Sequence, residues 1–327
     1  MRDTVAIYCG DAGYLFAMLV AARSLRQCAS RDNFDILLFG IDLTDDQLAY
    51  ARAVAATFRA EVTPMSSAEY TVFDVTRYTT LDKFAHVAPS SLARLVTGRH
   101  IPQAYKRVLY VDGDTLCVGD FSDLADLDVP AGMLMATPDP SNYWRADDGA
   151  FARSEDAYLN ALGIGRDATY FNAGFFLADR AAWAAFGEEA LTYFAANMDL
   201  CKCHDESALN VVARDRIRPL SARWNFMQPM RAWGLDAAIR PRLYHFSGRE
   251  KPWRGTVRPW AEFSRRYKAF RSEPQLRALA PRYASAKDLA EMNAHYSVWE
   301  MKARTIHRTK YERARRALLE NERRAVM

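Results

Sequence analysis

The sequence predicts an α/β protein with a mostly parallel, doubly wound central sheet flanked by helices. Two observations support this class. Short apolar runs rich in β-branched residues alternate with helical patterns from the amino terminus onward. One such run ends abruptly at two aspartates, as strands that lead into a ligand crevice do. The composition becomes basic near the carboxyl end, so we divide the chain into residues 1–258 and a basic helical extension, residues 259–327.

The amino-terminal part is expected to start with a strand at residues 4–9, a loop, and a helix at residues 15–25. A second strand follows at residues 34–40. Thr44 is expected to cap the next helix, with Gln47 at its third position completing a capping box. Such strand–loop–helix openings are typical of nucleotide-binding α/β units, although neither a GxGxxG nor a Walker motif is present.

Further strands are predicted at residues 61–64, 107–111, 132–137 and 170–177, and further helices at residues 90–96 and 180–197. The polar, aromatic stretch at residues 138–148 is expected to be an irregular loop over a site. An Asn-Ala-Gly step inside the strand at residues 170–177 predicts close approach of a ligand or another backbone.

The bulk properties restrict the class of protein. Half of the 327 residues are hydrophobic and 26% are charged, as in an ordinary globular protein. A net charge of +4 is too small to indicate a nucleic-acid partner, and we expect none. Five scattered cysteines form no disulfide framework, which favours a reducing cytosol. No apolar run is long enough to span a membrane and no signal region precedes the first strand, so a cytoplasmic location is expected.

The strand at residues 107–111 ends in Asp112-Gly113-Asp114. Residues two apart at a strand end point the same way, so both carboxylates can face one ion. Mg²⁺ and Mn²⁺ take oxygen ligands and bridge carboxylates to phosphates, and Gly113 leaves room for a ligand against the backbone. The alternative is a plain turn, for which Asp-Gly-Asp is a common composition.

Several other polar residues have both a functional and a structural interpretation. Asp11 and Tyr14 follow the first strand, where Asp11 could instead cap a helix and Tyr14 could pack in the core. Arg94 could bind a phosphate or a carboxylate with its fork of donors, or lie on a solvated helix face. Asp205 and Glu206 open a helix, where they complement the macrodipole or stabilise charge at a reacting carbon.

The last candidate stretch is residues 244–253. His245 is either a histidine satisfied in the core or a third ligand beside the two aspartates. Lys251 provides a positive charge suited to a diphosphate. A zinc site is not predicted, because the Cys-x-Cys-His run at residues 201–204 has no second ligand pair.

Taken in order, these motifs resemble glycosyltransferase family 8, the retaining sugar transferases of the GT-A fold, and in particular its bacterial lipopolysaccharide galactosyl- and glucosyltransferases. The resemblance extends from residue 4 to about residue 254. Its parts are Asp11 and Tyr14, Ala-Arg-Leu at 93–95, Leu-Tyr-Val-Asp-Gly-Asp at 109–114, Tyr-Phe-Asn-Ala-Gly at 170–174, His-Asp-Glu-Ser-Ala-Leu-Asn at 204–210, Asn-Phe-Met at 225–227 and His-Phe-Ser-Gly-Arg-Glu-Lys-Pro-Trp at 245–253. The last is the most specific, since the family reads His-x-x-Gly-x-x-Lys-Pro-Trp there.

The resemblance implies a UDP-sugar as donor and Mn²⁺ or Mg²⁺ held by Asp112, Asp114 and His245. The remaining residues implied to meet the donor are Asp11 and Tyr14 for uracil and ribose, Gly248 and Lys251 for the diphosphate, and Arg94, Asn172, Ala173, Gly174 and Asp205 for the sugar. Gly113 is also expected to belong to the donor site. Asp205, Glu206 and Asn172 are the residues expected to act in catalysis.

Two positions depart from the family pattern. Glu206 stands where relatives with an Asp-Gln pair carry glutamine. A carboxylate there could shield or attack an oxocarbenium-like carbon better than an amide could. Gly13 stands where asparagine is common, which removes one polar contact from the first loop.

The tail has two interpretations. Residues 299–327 carry nine Lys or Arg against four Glu, with a thin apolar stripe at helical spacing formed by Tyr311, Ala314, Ala317 and Leu318. One interpretation is a solvated helix that packs or oligomerises. The other is a basic amphipathic helix on anionic lipid, worth about 1 kcal/mol per basic residue, which would give a peripheral location on the inner face of the cell membrane.

The function predicted from the sequence is transfer of a hexose, galactose or glucose, from a UDP-sugar to a saccharide or glycolipid acceptor such as lipopolysaccharide. Two alternatives remain open. A phosphoryl or nucleotidyl transferase also uses paired carboxylates and a divalent metal. A non-catalytic sugar-nucleotide-binding protein would be expected to lack a metal ligand, and none of the three candidates is missing.

Overall fold

Two sheets organise the structure, a computed structural model that describes residues 2–72, 89–146 and 149–326. The strands are β1 (Thr4–Asp11), β2 (Phe34–Ile41), β3 (Glu61–Met65), β4 (Arg107–Val111), β5 (Thr115–Cys117), β6 (Leu134–Pro138), β7 (Phe171–Asp179), β8 (Ile217–Pro219), β9 (Phe226–Met227) and β10 (Leu243–His245). The main sheet has the order β3-β2-β1-β4-β7-β6-β8, and the small sheet has the order β5-β10-β9. Each of the predicted strands is present, with ends that differ by about two residues at most.

The helices of the described ranges are α1 (Leu15–Cys28), α2 (Asp45–Ala56), α3 (Ala93–Val96), α4 (Ser122–Ala125), α5 (Ser141–Trp144), α6 (Ala150–Ala161), α7 (Arg180–Ala196), α8 (His204–Ala213), α9 (Gln228–Ala232), α10 (Asp236–Ile239), α11 (Ala261–Ser272), α12 (Pro274–Arg277), α13 (Ala286–Arg304) and α14 (Arg308–Glu322). The capping box predicted for α2 is confirmed. Thr44 accepts from the N–H of Gln47, and the Gln47 side chain accepts from the N–H of Thr44.

One local prediction is wrong. The stretch at residues 138–148 was expected to be an irregular loop, but it contains the short helix α5. The Oδ1 atom of Asp139 accepts from the N–H of Ser141 at 2.8 Å, so the polar composition serves the start of a helix. Residues 147 and 148 lie outside the described part of the chain.

Strand β7 runs against its neighbours in a sheet that is otherwise parallel. β3, β2, β1 and β4 are mutually parallel, as are β6 and β8, but β7 is antiparallel to both β4 and β6. The amino-terminal end of β7 therefore lies beside the carboxyl end of β4. There the N–H of Asp112 donates to the carbonyl of Gly174 at 2.9 Å. The prediction of a mostly parallel sheet is confirmed, and this one reversed strand brings the Asn-Ala-Gly step to the aspartates.

The helices after residue 258 share apolar clusters with the rest of the protein. Trp260 and Tyr267 are buried in the cluster that also covers β1 and β4. The stripe predicted in the tail packs inward as well, since Ala314 and Leu318 are buried together with Phe226 of β9. A boundary at residue 258 remains a prediction. None of the helices in the described ranges combines the length and the apolar character that a membrane span requires.

Candidate active site

Asp112 and Asp114 each use one carboxylate oxygen within the protein. The Oδ1 atom of Asp112 accepts from the hydroxyl of Tyr110 at 2.7 Å and lies 3.2 Å from Nη2 of Arg94. The Oδ2 atom of Asp114 lies 2.6 Å from Nζ of Lys251. Burial alone would raise the pKa of Asp114, but the charge of Lys251 and the close contact with His245 hold it well below its usual range. Both carboxylates are thus oriented, and the second oxygen of each faces His245.

His245 lies opposite these two oxygens. Its strand, β10, pairs antiparallel with β5, and this register puts His245 beside Thr115, directly after the acidic pair. The Nε2 atom of His245 is 3.7 Å from Oδ2 of Asp112 and 3.3 Å from Oδ1 of Asp114. The three ligand atoms all lie within 4.8 Å of one another. The histidine is buried, but it converges with the acids and does not simply pack in the core.

The residues present fit a hard divalent cation. Two carboxylate oxygens and one imidazole nitrogen form a donor set that Mn²⁺ and Mg²⁺ accept. Gly174 keeps the space between them open. A Cβ atom at that position would lie 2.4 Å from Cε1 of His245 and 2.7 Å from Oδ2 of Asp112, so any larger residue would displace the ligands.

Arg94 connects the acidic pair to helix α8. Its side chain is buried, with Nη1 donating to the carbonyl of Ala173 at 2.5 Å and Nε lying 2.9 Å from Oδ2 of Asp205. Its guanidinium lies over the ring of Tyr110, 4.8 Å from the centroid. Burial alone would lower the pKa of Arg94, but the charges of Asp112 and Asp205 raise it well above the usual value. Arg94 is therefore a fixed cation held by two carboxylates, and it does not lie on a solvated helix face.

Glu206 and Asn172 form a second polar group behind the cleft. The Oε2 atom of Glu206 accepts from Nδ2 of Asn172 at 2.9 Å and from the N–H of Ala173 at 3.0 Å. Nδ2 of Asn172 also lies 3.3 Å from Oδ2 of Asp139. Burial raises the pKa of Glu206 well above its usual range, and the neighbouring charge of Asp139 adds to this effect.

Asp11 and Tyr14, the two candidate residues of the first loop, have different surroundings. Asp11 accepts with Oδ1 from the N–H groups of Gly13 at 2.9 Å and Tyr14 at 3.2 Å, and with Oδ2 from the hydroxyl of Ser90 at 2.8 Å. It thereby stabilises the turn before α1, but it is not the helix cap of the structural alternative, because Tyr14 occupies the N-cap position and no side chain caps this helix. Tyr14 is 37% exposed and meets Trp253 edge to face at 6.2 Å, so it does not pack in the core and its ring is accessible from the cleft.

A cleft of about 260 Å³ collects most of the predicted residues. The sequence-predicted residues that line it are Tyr14, Arg94, Asp112, Gly113, Asp114, His245, Gly248 and Lys251. The predicted residues outside this lining are Asp11, Asn172, Ala173, Gly174, Asp205 and Glu206. Arg94 connects two of them to the cleft, because it bonds to Ala173 and pairs with Asp205.

Tyr110, Asp139 and Asn225 bond to predicted site residues but were not singled out from the sequence, and neither were Cys9, Gly10, Ser90, Ser91 and Ser247 of the cleft lining. Tyr110 precedes Asp112 by two residues, and the period of a strand could have placed it on the same side. Asp139 follows β6 as Asp112 follows β4, which was the available signal. Asn225, whose Oδ1 lies 2.9 Å from Nδ1 of His245, belongs to the quoted Asn-Phe-Met motif, but nothing local indicates its partner.

Several known proteins are similar to this chain in sequence or in fold. General stress protein A of Bacillus subtilis (strain 168) is 25% identical over 207 residues, which cover 58% of this chain and 68% of that protein. Lipopolysaccharide glucosyltransferase WaaO of Escherichia coli (strain K12) is 22% identical over 257 residues, covering 75% and 71%. Among solved structures, the galactosyltransferase LgtC in complex with donor and acceptor sugar analogs superposes with a TM-score of 0.65 at 19% identity.

The structural match covers 86% of this chain and 98% of the LgtC chain, which confirms the predicted GT-A fold. The family model for glycosyl transferase family 8 matches residues 5–256. This range contains both sheets apart from Thr4, the first residue of β1, and every residue of the cleft described above. Since it also covers well over half of the sequence, the chain belongs to glycosyl transferase family 8.

Proposed function

We propose that the chain is a metal-dependent, retaining glycosyltransferase that moves galactose or glucose from a UDP-sugar to a saccharide acceptor, such as lipopolysaccharide or another cell-surface glycan. The observation that carries this proposal is the convergence of Asp112, Asp114 and His245 in one cleft with Lys251. Membership of the family supports the reaction class. The named lipopolysaccharide glucosyltransferase among its relatives supports the class of acceptor.

The diphosphate of the donor would lie between the acidic pair and Lys251. When bound to Asp112, Asp114 and His245, Mn²⁺ or Mg²⁺ would supply Lewis-acid charge to the diphosphate. Burial alone would lower the pKa of Lys251, but the Asp114 carboxylate raises it above its usual value, so the ammonium group keeps its charge. A fixed cation there stabilises the negative charge that grows on the leaving UDP. Gly248 lies beside it in the cleft with a positive φ of 92°.

The two ends of the donor have separate candidate partners. The accessible ring of Tyr14 can stack on uracil, and Asp11 fixes the loop that carries it. On the sugar side, Arg94 and Asp205 form a buried ion pair next to the Asn172-Ala173-Gly174 step. These groups offer oriented donors and acceptors to sugar hydroxyl groups, which is how a pocket discriminates between sugars.

Glu206 is proposed to assist the reaction directly. Its carboxylate is oriented by Asn172 and by the N–H of Ala173, and it replaces an amide found in relatives. In its ionised form Glu206 would stabilise an oxocarbenium-like carbon, and the positive charge that develops on that carbon would in turn favour ionisation of the buried carboxyl group. We expect Glu206→Gln to lower turnover about a hundredfold with unchanged UDP affinity, as removal of one oriented electrostatic group commonly does. Nearly full turnover in that variant would contradict the role.

A panel of UDP-sugars with Mn²⁺ tests the function as a whole. UDP release would be measured with and without saccharide acceptors, and with chelator as control. We expect one UDP-hexose to be turned over, faster with an acceptor, and chelator to abolish the reaction. Release of pyrophosphate or phosphate instead would indicate a nucleotidyl or phosphoryl transferase. Tight binding of UDP-sugars without any turnover, with every acceptor, would indicate a non-catalytic binding protein.

A peripheral contact with anionic lipid is part of the proposal, but through a different surface from the predicted stripe. The stripe at Ala314 and Leu318 is covered by the protein. The end of α13 and the turn after it expose Met301 and Ile306, at 57% and 74%, beside exposed basic residues. We expect binding to anionic but not to neutral vesicles, weakened by Ile306→Ser. Equal binding to both vesicle types would end this part of the proposal.

A further inference from the structure

A chain of hydrogen bonds connects the metal-ligand histidine to the second polar group. Nδ1 of His245 lies 2.9 Å from Oδ1 of Asn225, and Nδ2 of Asn225 donates to Oδ1 of Asn172 at 2.9 Å. Nδ2 of Asn172 then donates to Oε2 of Glu206, also at 2.9 Å. Asn225 is fully buried and His245 nearly so, so water does not compete for these bonds. The proposed function assigns no role to Asn225.

Backbone groups fix the direction of this chain. The N–H of Gly174 donates to Oδ1 of Asn172 at 3.1 Å, so the atom it meets must be the amide oxygen. The group of Asn225 that faces this oxygen must then be its NH₂. The oxygen of Asn225 consequently faces His245, and because a carbonyl oxygen only accepts, Nδ1 of His245 carries a proton.

We propose that Asn225 is a positioning residue that keeps the proton of His245 on Nδ1, so that Nε2 is directed at the divalent cation, and that also orients Asn172 toward Glu206. The imidazole of a metal ligand commonly donates its other N–H to a fixed acceptor, which sets its orientation and its basicity. Here the acceptor is the side-chain oxygen of Asn225, and the NH₂ group of the same amide donates to Asn172. The proposal rests on the proposed function for the identity of the cation.

Two variants of Asn225 separate the two halves of the role. Asn225→Ala removes both bonds, and we expect affinity for Mn²⁺ alone, measured without nucleotide by calorimetry, to fall roughly ten- to a hundredfold. Asn225→Asp still accepts from Nδ1 but cannot donate to Asn172. We therefore expect it to keep Mn²⁺ affinity within about threefold of the wild type, while kcat falls on the order of tenfold.

A spectroscopic readout does not depend on turnover. In ¹⁵N-labelled protein, the Nδ1–H of His245 should give a slowly exchanging signal in the wild type and in Asn225→Asp, and that signal should be lost in Asn225→Ala. A His245→Gln variant identifies the signal among the six histidines. Asn33→Ala is the control, since Asn33 is a partly buried asparagine that donates to the carbonyl of Ser122 away from the cleft.

The outcomes distinguish this inference from the proposed function. Unchanged Mn²⁺ affinity in Asn225→Ala, or a wild-type His245 protonated only at Nε2, would overturn the role of Asn225. An equal loss of affinity in the Ala and Asp variants would also overturn it. A wild-type protein that binds no Mn²⁺ would contradict the proposed function, while the Nδ1–H signal would still decide the inference. Should Asn225→Ala fail to fold, the Asp variant and the wild-type signal decide.

Discussion

The cleft and the carboxyl-terminal helices are both rich in charge, yet they use it in opposite ways. The side chains of Arg94 and Lys251 are only 9% and 12% exposed, and each is paired with a carboxylate from another element. Arg304 and Arg308 are 77% and 73% exposed and pair with glutamates four residues away on the same helix or turn. Buried pairs are costly to break, whereas exposed pairs contribute little. Charge changes should therefore matter in the cleft and not in the extension, where apolar contacts should matter instead.

The largest effect is expected for Asp112→Asn. The variant keeps the shape of the side chain but removes the charge that faces His245, and Arg94 remains paired with Asp205. We expect transfer to fall by about a thousandfold, since several kcal/mol of transition-state stabilisation depends on this site. Steady-state kinetics with the preferred UDP-sugar measures it. Asp123→Asn changes a side chain that is 76% exposed; it is the control and should leave the rate of transfer unchanged. A rate within tenfold of the wild type in Asp112→Asn would contradict the metal site.

The next largest effect is expected for Leu318→Ala, on stability rather than on activity. Leu318 is fully buried in the cluster between α14 and β9, so removing its side chain should lower the free energy of unfolding by about 2–5 kcal/mol. Turnover below the melting temperature should be nearly unchanged. Leu319→Ala, at the half-buried neighbour, should cost less. Denaturant unfolding checks both, and equal small losses would mean that the extension is not packed as described.

A smaller effect is expected on the pH dependence of stability in Glu206→Gln. The folded-state pKa of Glu206 is raised above the unfolded-state value. Its contribution to the free energy of unfolding is therefore fully present below the unfolded-state pKa of about 4.3, and it is lost as the pH rises through the folded-state pKa. Glutamine does not titrate. The variant should therefore gain stability relative to the wild type as the pH rises, which unfolding curves at pH 4 to 8 would show. A difference that is constant with pH would contradict the raised pKa.

The smallest effect is expected for Arg313→Gln and Arg316→Gln, both exposed on α14. Each should change the free energy of unfolding by less than about 0.5 kcal/mol and leave turnover with a soluble acceptor unchanged. A loss of turnover comparable to that of Asp112→Asn would instead place these charges in the reaction.

Much of the fold and part of the site follow from local patterns. The strand that ends at Asp112, the cap at Thr44 and the helix that opens at Asp205 each depend on neighbouring residues, which a sequence displays directly. Even the exposed Tyr14 could be placed at the start of a helix, although its alternative, burial in the core, is wrong.

The remaining features depend on contacts between distant segments. Apolar periodicity reports which residues are buried but not the direction of a strand, so the reversal of β7 was not predicted. The roles of Asn225 and Asp139 depend on meeting His245 and Asn172 across elements. The helix at α5 was missed because its polar residues are equally typical of loops.

The pairing of β5 with β10 has a consequence for biosynthesis. β5 directly follows the acidic pair, while β10 brings His245 from far downstream in the sequence. During synthesis, the carboxylates of Asp112 and Asp114 therefore have no histidine partner until His245 has left the ribosome. Truncated products that end before Leu243 would keep the two carboxylates but lack His245, so the candidate ligand set of three residues is complete only after residue 245 has been made.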